Sequence, residues 1–387
     1  MKWRRQKLES LASDEPYSFV GGPFGSKLTT RDYLEEGVPV IRGSNLNNGR
    51  FLGMSDFVFV SNSKVKKDLS SNLAKPGDLV FTQRGTLGQV ALIPENGISD
   101  RYVVSQSQMK LTVDEHKADR LFLYYYFTSR EAVERILNYT SSSGVPHINL
   151  TVLRNFEVPV PPLQTQQAIA GVLSTYDDLI ENNRRRIALL EEAARLLYRE
   201  WFVHLRFPGH EHVRIVDGVP EGWEKKPLGD VAPLNYGKAL KKDDRVSGPF
   251  PVYGSSGVVG THVKALVPGP TIIVGRKGNV GSVYWSPEDC HPIDTVYYID
   301  SSRCSFHLYY ALQHMSFINT DVAVPGLNRN FAHSRSVIIP EQKIYRSFED
   351  TVTPMHSQID ILHKENVALA QARDLLLPRL MNGEIAV

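Results

Sequence analysis

The sequence predicts an α+β protein in which two globular domains sit at opposite ends of a two-helix antiparallel coiled coil, related by a pseudo-twofold internal repeat. Three observations predict it. A heptad seam runs unbroken over residues 169–201, the seam recurs 179 residues later, and a glycine-rich stretch with short β-branched runs precedes each copy.

The first seam places core-compatible residues at Ile169, Leu173, Tyr176, Ile180, Asn183, Ile187, Leu190, Ala194, Leu197 and Trp201, in steps that alternate four and three. Adding 179 gives Phe348, Val352, Met355, Ile359, Leu362, Asn366, Leu369, Arg373, Leu376 and Leu380. The same offset relates the stretches that lead into the helices: Val145-Pro146-His147-Ile148-Asn149 matches Val324-Pro325-Gly326-Leu327-Asn328. A gapless register of this length marks a duplicated structural unit.

In chain order, residues 1–160 form the first domain, with strand signals at Val38-Pro39-Val40-Ile41, Leu79-Val80-Phe81 and Val90-Ala91-Leu92-Ile93, each bounded by turn residues. One apolar helix is expected from about Asp119 to Leu137, around Tyr124-Tyr125-Tyr126-Phe127. Pro161-Pro162 suits the first turn of the first long helix, residues 161–205, because a missing N–H costs little there. Residues 206–340 hold a linker and the second domain. Its opening, Trp223-Glu224-Lys225-Lys226-Pro227-Leu228, parallels Trp3-Arg4-Arg5-Gln6-Lys7-Leu8. Residues 341–387 form the second long helix, in which Pro378 is expected to kink or end the last turn and Asn382-Gly383 to supply a left-handed terminus. The offset between the copies falls from 220 at the domain start to 179 in the helix, so deletions lie inside the globular parts.

Composition bounds the function. A chain of 387 residues, 42% hydrophobic and 22% charged, is that of an ordinary two-domain soluble protein. A net charge of +2 advertises no global field, so any nucleic acid must be met by local charge. Two cysteines, Cys290 and Cys304, make neither a metal pattern nor a disulfide framework, which points to a reducing cytoplasm. No stretch approaches membrane-spanning length, and no membrane partner is expected. His210-Glu211-His212 lacks the spacing of a zinc helix, and no dinucleotide or phosphate-binding glycine loop is present, so neither a metal site nor catalytic residues are assigned.

Two long helices separated by a folded domain most simply pack antiparallel. If Asn183 faces Asn366, the numbers of facing residues add to 549, pairing Leu173 with Leu376, Ile180 with Leu369 and Leu190 with Ile359, with Ile187, Leu197 and Leu362 completing the interface. A buried Asn pair would fix the register; a splayed, wet layer at each Asn accounts for the same letters. About 38 helical residues span roughly 57 Å. Domains held that far apart suit an extended ligand with two contact points, and duplex DNA is one.

Candidate contacts lie on loops that recur in both halves. Gln83-Arg84-Gly85-Thr86-Leu87-Gly88 and Arg276-Lys277-Gly278-Asn279-Val280-Gly281 each carry cations on a Gly-rich turn after a strand, suited to phosphates or a guanine edge, although a hairpin with solvated charges reads the same way. Lys27 after Gly21-Gly22-Pro23-Phe24-Gly25-Ser26, then Arg42, Ser44 and Asn45, and in the second half Tyr253, Ser255 and Ser256, add donors beside cations; Asx-turns explain the same residues. Ser143, His147 and Asn328 lie just before the helices, bordering a DNA groove or serving a shared helix-leading fold. Arg184-Arg185-Arg186 reads as a solvated face or as a contact to spacer phosphates or a partner.

Pro161-Pro162-Leu163-Gln164-Thr165-Gln166-Gln167, Leu173 through Ile187, Arg199-Glu200-Trp201-Phe202 and Leu375 through Ile385 resemble the conserved helices of specificity (S) subunits of type I restriction-modification systems. Gly22-Pro23-Phe24-Gly25-Ser26 and the Gly85 and Gly278 loops resemble that family's target recognition domains. The resemblance covers nearly the whole chain and is most specific in the helices. It implies a non-catalytic reader of an asymmetric two-part double-stranded DNA target, working with two methylation subunits and with restriction subunits. S-adenosylmethionine, Mg and ATP would belong to those partners, with no cofactor in this chain. A self-contained DNA-modifying enzyme and a sequence-specific DNA-binding regulator are the competing readings.

Overall fold

The computed structural model describes residues 3–46, 49–139, 146–317 and 326–387. Its contacts divide the chain into two compact units: residues 1–182 with 365–387, and residues 183–364. The divisions fall inside the two long helices, so each unit contains one globular part and one segment of each helix.

The first unit contains two four-stranded sheets. One runs Phe19–Gly21, Gln108–Leu111, Leu79–Thr82, Val90–Leu92, antiparallel throughout. The other runs Val58–Val60, Val38–Ile41, Tyr102–Val104, Leu73–Ala74, and its central pair is parallel, with Val40 opposite Val103. Every residue of Val38–Ile41, Leu79–Thr82, Val90–Leu92, Tyr102–Val104 and Gln108–Leu111 is buried, as expected of short apolar runs covered on both faces. The second unit repeats the plan. Asn235–Tyr236, Val296–Ile299, Thr271–Gly275 and Val283–Ser286 form its antiparallel sheet, and Gly257–His262, Phe250–Gly254 and His291–Pro292 the sheet with one parallel pair. A further strand pair closes each globular part: Arg5–Lys7 against Glu157–Pro159, and Glu224–Pro227 against Ser336–Ile339.

The apolar segment expected as one helix from Asp119 to Leu137 is two, Arg120–Thr128 and Arg130–Asn138. Ser129 interrupts it. Its backbone is extended, its N–H donates to Tyr126 O, and its hydroxyl accepts from the Ala132 N–H, so one residue ends one helix and caps the next. In the second unit the helix Phe306–His314 follows the last strand of the antiparallel sheet.

The long helices are Leu163–Tyr198, continued by a wider π-turn through Val203, and Gln342–Met381. The second runs through Pro378 and does not end there. Gly383, at φ +69°, closes it by donating to Leu380 O at 3.1 Å. Within the first unit Ile169 and Leu173 share a core with Leu376, Leu377 and Leu380. Within the second, Ile187 and Leu190 cluster with Ile359 and Leu362, while Ala194, Tyr198 and Phe202 meet Phe348 and Val352. In each unit, therefore, the two segments pack antiparallel, early residues of one against late residues of the other. Ile180 and Asn183 are buried, Leu197, Asn366 and Leu369 half-buried. Arg373, the cation in the second seam, is accommodated by Asp177, whose carboxylate it meets at 2.5 Å. No helix among the described residues is long and apolar enough to cross a membrane.

Candidate nucleic-acid interface

The two Gly-rich turns share four backbone hydrogen bonds. In the first unit Gln83 and Arg84 donate their N–H groups to Ser107 O at 2.7 and 3.3 Å, Leu87 N–H donates to Gly85 O at 2.9 Å, and Ile148 N–H donates to Gln83 O at 3.0 Å. In the second, Arg276 and Lys277 donate to Thr295 O at 2.9 and 3.1 Å, Val280 to Gly278 O at 3.0 Å, and Leu327 to Arg276 O at 2.8 Å. Isolated bridges join Arg84 to His147 and Lys277 to Gly326. The turn is thereby laced to the segment that leads into the next helix. Glycines stand at positive φ at Gly85 and Gly88 and again at Gly278 and Gly281, where a side chain would be strained.

This lacing pushes the turn tips outward. Arg84, Gly85 and Thr86 are exposed, as are Lys277, Gly278 and Asn279, and the Arg84 and Lys277 side chains make no hydrogen bond or ion pair among the described residues. Beside the first turn, Lys27 is exposed on a turn pinned by Gln106, whose amide donates to Gly25 O at 2.5 Å. Phe24 on that turn is 81% exposed. Ser44 and His147 are exposed, while Arg42 is held by a 2.6 Å bond to Asp56 O. Ser255 and Ser256 adjoin the second turn: the Asn279 N–H donates to Ser255 Oγ at 3.4 Å, and Ser256 is exposed.

Three predicted contacts have other roles. Asn45 is fully buried; its Oδ1 accepts from the Arg42 N–H at 2.9 Å and its Nδ2 donates to Ser55 O at 3.0 Å, so it braces the loop and presents no edge. Tyr253 is buried against Val267, Ile273, Cys290 and Val296 and is a core residue. Asn328 is exposed but its Oδ1 caps the helix Arg329–His333, accepting from Asn330 and Phe331, as Asn149 caps Leu150–Arg154. The matching stretches before the helices thus share a capping fold. Ser143 lies outside the described residues.

The structure adds Tyr236, which carries no signal in the sequence. Tyr236, half-exposed, lies on the edge strand beside the second turn, and the guanidinium carbons of Arg276 and Arg329 each stand 5.0 Å from its ring centroid. Arg276 also donates to Asp294 O at 3.1 Å. Burial raises the Tyr297 hydroxyl above its ordinary value, and that hydroxyl donates to Leu327 O at 2.9 Å. Among the described residues no group of three His, Cys, Asp or Glu side chains is placed to hold a metal ion.

Two copies of one scaffold each display exposed cations and polar tips on glycine-rich turns. Comparison with known proteins identifies the family. The profile of the type I restriction modification DNA specificity domain matches residues 24–192 and 220–369, and the chain belongs to that family. It is 24% identical to the type I restriction enzyme MjaIX specificity subunit of Methanocaldococcus jannaschii, over 100% of this chain and 94% of that one. It is 25% identical to the HindI specificity subunit of Haemophilus influenzae, over 90% and 94%. Among solved structures, the S subunit of the type I restriction-modification system from M. genitalium superposes with a TM-score of 0.59 at 19% identity, covering 98% of this chain and 96% of the other, and so shares its fold.

Proposed function

We propose that this specificity subunit reads an asymmetric, two-part double-stranded DNA target, one part with each unit, and carries the subunits that act on it. The observation that carries the reading is the pair of equivalent turns at Arg84–Thr86 and Lys277–Asn279. Shared backbone bonds present different side chains, as two readers of unlike half-sites require. Turn cations supply phosphate attraction and the polar tips supply base contacts. The off-seam faces of the long helices, where Leu189 is exposed in the second unit and Leu375 in the first, offer apolar docking area for two methylation subunits, with restriction subunits recruited to the same assembly. Catalysis, with S-adenosylmethionine, Mg and ATP, belongs to those partners, and the assembly works in the cytoplasm.

Co-expression of the chain with a type I methylation subunit, followed by methylome sequencing, tests this. The expected result is one motif of two unlike halves separated by a fixed unspecified spacer. A motif with a single half, or methylation by the purified chain alone, would refute it.

A further inference from the structure

The two units diverge sharply at one point where their folds coincide. Tyr236 faces Tyr297 across the sheet edge as Gly21 faces Met109. The next residues, Gly237 and Gly22, both press on neighbouring backbone: a Cβ would lie 2.0 Å from Ile293 O and 1.8 Å from Ser105 O. Arg276 and Gln83 hold equivalent places at the strand ends, and Arg329 and Leu150 each follow a capping asparagine. Where the first unit has Gly21, Gln83 and Leu150, the second has Tyr236, Arg276 and Arg329.

Stacking of both guanidinium groups on one half-exposed ring is favourable to each, but it gathers two like charges. Arg276 is tied to the scaffold by Asp294 O and also stands 5.7 Å from the Tyr297 centroid. The exposed Arg329 makes no other bond among the described residues, so its donor edge is unspent. Lys238 and Lys277 are exposed and unpaired in the same sense, and the exposed Asp294 carboxylate forms no ion pair. An anionic ligand with paired acceptors would complete this array.

We propose that Arg329 reads a guanine in the half-site bound by the second unit, with Tyr236 and Arg276 as positioning residues that hold its guanidinium flat. Guanine offers N7 and O6 side by side in the major groove, the spacing a guanidinium fork matches. Lys277 and Lys238 supply phosphate contacts. The first unit has no cation at the three equivalent places and cannot make the contact.

The inference rests on the DNA-reading function, and the experiment separates the two. The full chain is co-expressed with the methylation subunit as wild type, Arg329→Leu (the first unit's side chain) and Arg329→Lys (charge without the fork). Both variants should lose selectivity for guanine at one position of one half-site, about tenfold or more, with the other half-site unchanged. Asn328 still caps the helix in both, and the exposed site keeps the fold intact. Retention of that guanine by Arg329→Leu would overturn the proposal. So would weaker methylation of an unchanged motif by either variant, which is what a phosphate contact alone would give. A wild-type chain that directs no methylation would bring down the function itself, and this inference with it.

Discussion

Tyr310 and His356 meet inside the second unit, with the hydroxyl 2.8 Å from the ring Nε2. The first unit has the same latch with a different acceptor: the Tyr125 hydroxyl donates to Asp177 Oδ2 at 2.7 Å. Asp177 and His356 stand 179 residues apart and so share one place in the helical repeat. Each tyrosine comes from the helix over its own domain's sheet, and each latch fastens a globular part to a long helix. Removing the hydroxyl has unequal effects. Tyr310→Phe strands a buried ring nitrogen and should cost about 1–3 kcal/mol in denaturant unfolding, whereas Tyr125→Phe leaves Asp177 with Arg373 and should cost about 1 kcal/mol or less. Equal losses would contradict the assignment.

Acid should unfold the second unit first. Burial holds His356 and His307 at about 4, the former stacked 4.1 Å from Phe306 and the latter packed edge-on to Phe202. Both pKa values lie below the unfolded value of 6.5, so the stabilisation is complete above pH 6.5. It is lost as pH falls toward 4, where the unfolded chain takes up protons the folded one refuses, at about 3 kcal/mol for each ring. The first unit contains His116 and His147 alone of the twelve histidines, and both are exposed. Three of the four tryptophans, Trp201, Trp223 and Trp285, report on the second unit. Their fluorescence midpoint in denaturant should fall between pH 7 and pH 5, and His356→Gln should flatten that slope. A pH-independent midpoint would refute it.

The close approach at the two edge strands is also testable. Gly22→Ala and Gly237→Ala each drive a methyl into a backbone carbonyl that belongs to a strand connection and cannot retreat alone. Each should lower stability by about 1–3 kcal/mol. Gly85→Ala meets no atom within 4 Å and strains only its backbone at φ +102°, so its penalty should be the smallest of the three. Thermal denaturation of the three variants side by side checks the order.

The architecture was legible because its signals are periodic. Heptad steps at Leu173, Ile187, Ile359 and Leu362 report burial directly, and the 179-residue offset exposes the duplication whatever the side chains. Single letters on loops are less telling. Asn45 and Asn328 have the donors that a base reader would have, yet a short polar side chain beside a turn bonds its own backbone first. Tyr253 reads as a loop aromatic until the strand Phe250–Gly254 turns it inward. The Tyr236 and Arg329 pair was invisible because 93 residues separate them, and only the sheet edge and the capped helix bring them together. The break at Ser129 was hidden by apolar periodicity on both sides of it.

The spacer between the two halves of the DNA target should follow the length of the paired long helices. The most direct measurement is the methylome of a variant with one heptad added to each long helix, after Ile187 and beside Leu362, where the two segments pack together. Seven residues add about 10 Å, the rise of about three base pairs. The spacer should lengthen by about that amount with both half-sites unaltered. A methylated motif whose spacer stays the same would contradict it.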